Sequence, residues 1–189
     1  MFRRALTLLC ATVVVIFSGL ITTSAPAYAA SSNLQFVRLA EIENDLSGFC
    51  LTAHDSSTNG AKIYQDRCGL AQDEWKIYQD LAYLPSVVYE FRNQDSDKCL
   101  ADPSSSQTAG AQFIQWTCNN FDSQRFWIKN LDTTTELGFA ENLASTLYMD
   151  DKGASLTAGA AVIQWTFNGQ LNQKWYFAAS PATGPCCVE

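Results

Sequence analysis

The segment Gly159-Ala160-Ala161-Val162-Ile163-Gln164 has two earlier counterparts, Gly110-Ala111-Gln112-Phe113-Ile114-Gln115 and Gly60-Ala61-Lys62-Ile63-Tyr64-Gln65. The three stand at offsets of 50 and 49 residues. A period of that size marks a repeat architecture, in which each copy buries its apolar face only against the others. Moving outward, the same register holds. Asn44, Asn93 and Asn142 are spaced by 49, and each lies six residues before Cys50, Cys99 and Tyr148. Downstream, Asp73-Glu74-Trp75-Lys76-Ile77, Gln124-Arg125-Phe126-Trp127-Ile128 and Gln173-Lys174-Trp175-Tyr176-Phe177 close the copies.

Within each copy the apolar runs are short, rich in aromatic and β-branched residues, and bounded by Ser/Thr/Gly/Asn/Asp clusters such as Pro103–Gly110 and Lys152–Gly159. That composition predicts strands. No stretch keeps a 3.6-residue apolar period over three turns, so the fold class is all-β. Three copies, approximately 37–82, 83–132 and 133–178, fill one domain spanning 37–178. Closing them into a single three-fold barrel removes the sheet edges that separate units would expose. A linear solenoid is the other arrangement open to three copies, but it calls for polar capping units that are not evident here. Trp75, Phe126 and Trp175 recur at one repeat position and are expected in the core. Asn44, Asn93 and Asn142 are expected to satisfy backbone groups at turns.

The chain of 189 residues carries 19 acidic against 12 basic side chains, a formal charge of −7. Nucleic-acid binding needs a basic surface that releases counterions, so no nucleic-acid partner is expected. At the start, Arg3 and Arg4, the apolar run Ala5–Ile21 and the small-residue motif Ala27-Tyr28-Ala29 read as an export signal over residues 1–29. Its removal takes two positive charges and no acid, which moves the charge from −7 to −9. No later stretch is suited to spanning a membrane, so an extracellular protein with no membrane partner is expected. Cys10 leaves with the leader, and six cysteines remain, an even number that favours disulfides in an exported chain. No CxxC occurs and His54 is the single histidine, so neither a metal nor another cofactor is expected. Cys186 and Cys187 lie in a tail, residues 179–189, where they can pair with each other, pair between chains or stay free.

Gln-Trp in two copies, Gly-Ala-x-Val-Ile-Gln-Trp-Thr and Asn-Gln-Lys-Trp in the last, together resemble the ricin B-type lectin repeat. The resemblance implies a β-trefoil with four strands per copy and a carbohydrate-binding function. It also implies disulfides Cys50–Cys68 and Cys99–Cys118, at equivalent places in copies one and two. Tyr148 and Phe167 hold those places in copy three, where an aromatic contact is expected instead.

The same resemblance implies a binding site of a carboxylate two residues after the first Cys position, an aromatic on the Gln-Trp strand, and an Asn-Gln pair before the last Trp. These residue types suit a sugar: a carboxylate accepts from neighbouring hydroxyls, and a ring covers the flat C–H face. Copy three has the full set, Asp150, Trp165, Asn172 and Gln173, with Ile163 on the same strand face as Trp165. The other use of Asp150 and Trp165 is as a turn acid and a core ring. Copy two offers a weaker second site at Asp102 and Trp116, because Ala101 takes the carboxylate position. Copy one has Thr52, Asp66 and Asp73 at the three positions and is expected to be structural. Galactose-type or xylose-type units are the ligands the resemblance favours.

Catalysis is not expected. Asp150 and Asp151 are adjacent acids, but adjacent strand residues point oppositely, and His54 has no nucleophile motif beside it. The competing binding function is a secreted trefoil that engages a protein partner, such as a protease, and ignores sugar.

Overall fold

The computed structural model describes residues 33–54 and 56–179. The expected leader, Cys10, Cys186, Cys187 and residues 180–189 of the tail lie outside the described residues.

Each copy supplies four strands. Copy one has β1 (Leu34–Glu41) continuing into β2 (Glu43–Asn44), then β3 (Cys50–Thr52), β4 (Tyr64–Asp66) and β5 (Glu74–Asp80). Copy two has β6 (Val88–Asn93), β7 (Cys99–Ala101), β8 (Ile114–Trp116) and β9 (Phe126–Asp132). Copy three has β10 (Leu137–Asn142), β11 (Tyr148–Asp151), β12 (Val162–Trp165) and β13 (Lys174–Tyr176). Hydrogen bonding runs β1-β5-β6-β9-β10-β13 and then to β2, every pair antiparallel. Only Ile42 separates β1 from β2, so pairing of β13 with β2 closes a six-stranded ring. The ring excludes the solenoid and leaves no open barrel edge. Hairpins β3–β4, β7–β8 and β11–β12 branch from the ring. They meet through the bridges Lys62–Ile114, Gln112–Ile163 and Tyr64–Ala161, which form a triangular cap. The fold is a β-trefoil.

The core repeats with the sequence. Ile42, Phe91 and Ala140 come from the first strands, and Leu51, Leu100 and Met149 from the second. Ile63, Phe113 and Val162 come from the hairpin returns, and Trp75, Phe126 and Trp175 from the last strands. All twelve are fully buried. The three asparagines act as turn clamps. Each Oδ1 accepts two backbone N–H groups of its own turn, at 3.1–3.2 Å. Each Nδ2 donates to a carbonyl of the preceding copy: Asn44 to Asn172 at 3.1 Å, Asn93 to Gln72 at 2.8 Å and Asn142 to Ser123 at 3.0 Å. The repeated glutamines also join copies. Gln164 Nε2 donates to Ser106 O at 2.8 Å and Thr108 O at 3.0 Å, and Gln65 Nε2 to Ser155 O at 2.9 Å.

Cys50–Cys68 and Cys99–Cys118 are both bridged, with Cα atoms 5.0 and 5.1 Å apart. A bridge across a loop of this length stabilises by about 3 kcal/mol. In copy three the Tyr148 and Phe167 rings lie 4.7 Å apart, and Phe139 meets Phe167 edge-on at 5.1 Å.

One buried cluster has no counterpart in the repeat pattern. Arg125, 1% exposed, donates from Nε to Asp80 Oδ2 at 2.7 Å, from Nη1 to Glu90, and from Nη2 to Asn120 Oδ1 at 3.1 Å. Arg92 bonds the other Glu90 oxygen at 2.6 Å. Two cations thus meet two carboxylates, which meets the condition under which buried charge is tolerated.

Candidate functional site

β11 and β12 pair with Tyr148 opposite Trp165 and Asp150 opposite Ile163. Strand alternation then puts Asp150, Ile163 and Trp165 on one face, while Gln164 turns inward to the loop of copy two. Asp150 is therefore a strand residue and not a turn acid, and Trp165, 43% exposed, is not a core ring. Trp165 leans on Gly110 of copy two, whose φ is +93°; a Cβ there would lie 3.4 Å from the ring.

Asp150 is almost fully buried, and a 3-10 turn at Leu171–Gln173 brings two amides to it. Asn172 Nδ2 and Gln173 Nε2 each donate to Asp150 Oδ2 at 2.9 Å. Gln173 is itself braced, donating to Thr166 O at 2.9 Å and accepting from the Asn168 N–H at 2.8 Å. Among the described residues no side chain or backbone group donates to Asp150 Oδ1. Burial pushes the Asp150 carboxyl up to about 6, against the pull of the Gln173 and Asn172 amides. Asp150, Asn172, Ile163 and Trp165 border an open cleft of about 800 Å³. Leu46 of copy one and Gly110 of copy two complete its walls, with Lys152 and Leu171 on the rim. The site of copy three is thus assembled from all three copies. Its volume is in the range of small-ligand sites.

The adjacent acid does not join it. Asp151 is fully buried with both oxygens unpartnered, and it is not part of the cleft wall. Burial raises its carboxyl to about 7, against a contribution from the Ser155 N–H and with a smaller push from Asp150. Asp150 and Asp151 cannot flank a glycosidic bond, as paired hydrolytic acids must.

Copy two has a smaller cleft of about 340 Å³, walled by Ala101, Asp102, Phe121 and Trp116, the last 42% exposed. Asp102 and Trp116 do share this wall, but the Asp102 oxygens are shielded and unpartnered. In register Asp102 matches Asp151, and Ala101 matches Asp150. Burial raises Asp102 to about 7, with the Ser106 N–H acting in the opposite direction. The weaker second site expected at Asp102 and Trp116 thus has both residues on one wall, with the Asp102 oxygens buried and meeting no protein donor.

In copy one Thr52 and Asp73 are buried. Burial raises the Asp73 carboxyl, opposed by the Leu70 N–H, which donates to it at 3.1 Å, and by the Thr52 hydroxyl. His54 lies 3.8 Å from Asp66, and its ring meets that of Tyr64 at a tilt, 4.9 Å between centroids. Two groupings of acid and sulfur occur, Glu41 with Cys50 and Cys68, and Glu90 with Cys99 and Cys118. Their sulfurs are held in disulfides, so neither offers the thiolates a metal would need.

Residues 82–140, which span copy two, match the family described as ricin-type beta-trefoil lectin domain-like. The match covers one of the three copies of the β-trefoil. No curated protein matches it. Among solved structures, a designed three-fold symmetric protein, ThreeFoil, aligns with a TM-score of 0.68 at 25% identity, covering 75% of this chain and 99% of that one. The exo-beta-1,3-galactanase 1,3Gal43A of Clostridium thermocellum aligns with a TM-score of 0.68 at 22% identity, over 76% of this chain and 30% of the enzyme. The C-half of the earthworm R-type lectin, solved with GalNAc, aligns at 0.58 and 16% identity, over 76% of this chain and all of that one. The lectin-like family match supports carbohydrate binding as the general activity of this trefoil. Leu46, Gly110, Lys152 and Leu171 were not singled out from sequence as site residues. Gly110 opens the repeated motif, and Lys152 stands two positions from Asp150, so both carried a readable signal.

Proposed function

We propose that the protein is a secreted lectin that binds carbohydrate through the third copy of its trefoil and transforms nothing. Export after removal of residues 1–29 would leave the trefoil of 37–178 and a tail of 179–189, and the two disulfides are consistent with an extracellular location. The observation that carries the reading is Asp150, held on one oxygen by Asn172 and Gln173 while the other meets no protein donor beside the exposed Trp165 ring. A sugar hydroxyl donates to Oδ1, the Asn172 and Gln173 amides fix the carboxylate, and Trp165 excludes water from the C–H face. Ile163 supplies apolar floor. Galactose-type units fit the reading, since the matched galactanase and the GalNAc-bound earthworm lectin act on or bind such sugars; xylose-type units are the other class the family resemblance implies. One carboxylate site gives affinity in the millimolar to high micromolar range, about 4–6 kcal/mol. Asp102 and Trp116 of copy two would add at most a weak stacking contact through the ring.

The test is binding to a panel of galactans, xylans and glycans, with Asp150→Ala beside the unaltered chain. The expected result is binding competed by a simple sugar and weakened at least tenfold by the substitution. Binding that survives Asp150→Ala and ignores free sugar would point to a protein partner instead.

A further inference from the structure

We propose that the cleft of copy three selects sugars bearing an anionic substituent, a carboxylate or a sulfate ester, through Lys152. The inference rests on the carbohydrate reading of that cleft. Lys152 extends β11 by one residue: its N–H donates to Ala161 O at 3.0 Å, continuing the pairing with the strand opposite. Alternation therefore brings Lys152 to the face of Asp150, and both border the cleft. Among the described residues they are the only charged ones that do so. Lys152 is exposed, and among the described residues no carboxylate lies within ion-pairing distance of it. Asp150 forms no ion pair with it, and one Asp150 oxygen is engaged by Asn172 and Gln173.

The rim around Lys152 is open. Gly153 and Ala154 follow with φ of +74° and +52°, turning the chain away with small side chains. In copy two the matching position is Pro103, and among the described residues no cation lines that cleft. The cation thus accompanies the copy that keeps the sugar carboxylate. An ammonium on a flexible stem reaches a substituent at the ring periphery as a point charge, while Asp150 and Trp165 hold the ring itself. The chain as a whole is acidic at −7, so it repels polyanions at long range and the preference arises at contact.

The test uses protein expressed from the full-length sequence, titrated with galactan, polygalacturonate and sulfated galactan, and with xylan with and without glucuronate side groups. The expected result is acidic polymers bound about fivefold more tightly than their neutral counterparts, with Lys152→Gln bringing that ratio to about one. Polygalacturonate and sulfated galactan compared with galactan tell carboxylate from sulfate. Equal affinity for neutral and acidic polymers, or a preference that survives Lys152→Gln, overturns the proposal while binding lost in Asp150→Ala leaves the lectin reading standing. Failure to bind any of the polymers overturns both.

Discussion

Copies two and three share a backbone, a buried ring at Phe126 or Trp175, an asparagine clamp and a half-exposed tryptophan over a cleft. They differ in what holds them and in what they offer. Copy two is stapled by Cys99–Cys118 and presents Ala101; copy three has an aromatic pair in place of the bridge and presents Asp150. The residues that build the repeat and the residues that would grip a ligand therefore occupy separate positions and change independently. The family match falls on copy two, while the more complete site lies in copy three.

The largest effect expected from this contrast concerns the staple. Replacing Cys99 and Cys118 together by Ser should cost about 3 kcal/mol in urea unfolding. Phe167→Ala, which removes the stand-in contact of copy three, should cost only about 1–2 kcal/mol. Equal costs would mean that the aromatic pair is a full substitute for the bridge.

The equivalence of Asp102 and Asp151 predicts a shared pH dependence. Burial raises each carboxyl from 3.8 to about 7. Between those values the folded chain holds more protons than the unfolded one, so these groups favour folding in acid. That contribution falls as pH rises through about 7 and is then lost. Melting temperature followed from pH 4 to 8 should show Asp102→Asn and Asp151→Asn each reducing the fall on the alkaline side by about 3 °C or more. A reduction in only one variant would break the equivalence of the two positions.

The smallest effect isolates the contact between copies. Gly110 and Gly159 have φ of +93° and +82°, so Ala at either costs about 1 kcal/mol of backbone strain. A Cβ at Gly110 also meets Trp165, whereas one at Gly159 meets nothing within 4 Å. Both variants should lose similar stability in thermal unfolding, but only Gly110→Ala should weaken sugar binding.

Much of this was legible in the residues because a repeat states each position three times. The core rings Trp75, Phe126 and Trp175 and the asparagine clamps follow from that register, whereas both disulfides and Asp150 with its Asn-Gln pair followed from the family resemblance. What escaped depends on neighbours distant in sequence. Gly110 matters because copy two's loop is tied down by Gln164, and Arg125 because Asp80 and Glu90 converge on it from other strands. Asp102 looked available because it is polar and adjacent to the lost carboxylate. It does border the copy-two cleft, but both its oxygens are buried and meet no protein donor.

Ligand is expected to meet copy three. The five tryptophans each carry one indole N–H, and Trp165 and Trp116 mark the two clefts. Titration of the ¹⁵N-labelled protein with the polysaccharide or oligosaccharide that binds should shift the Trp165 indole resonance and leave that of Trp116 in place. A shift of Trp116 with Trp165 unmoved would contradict the account and transfer the site to the copy that lacks a carboxylate.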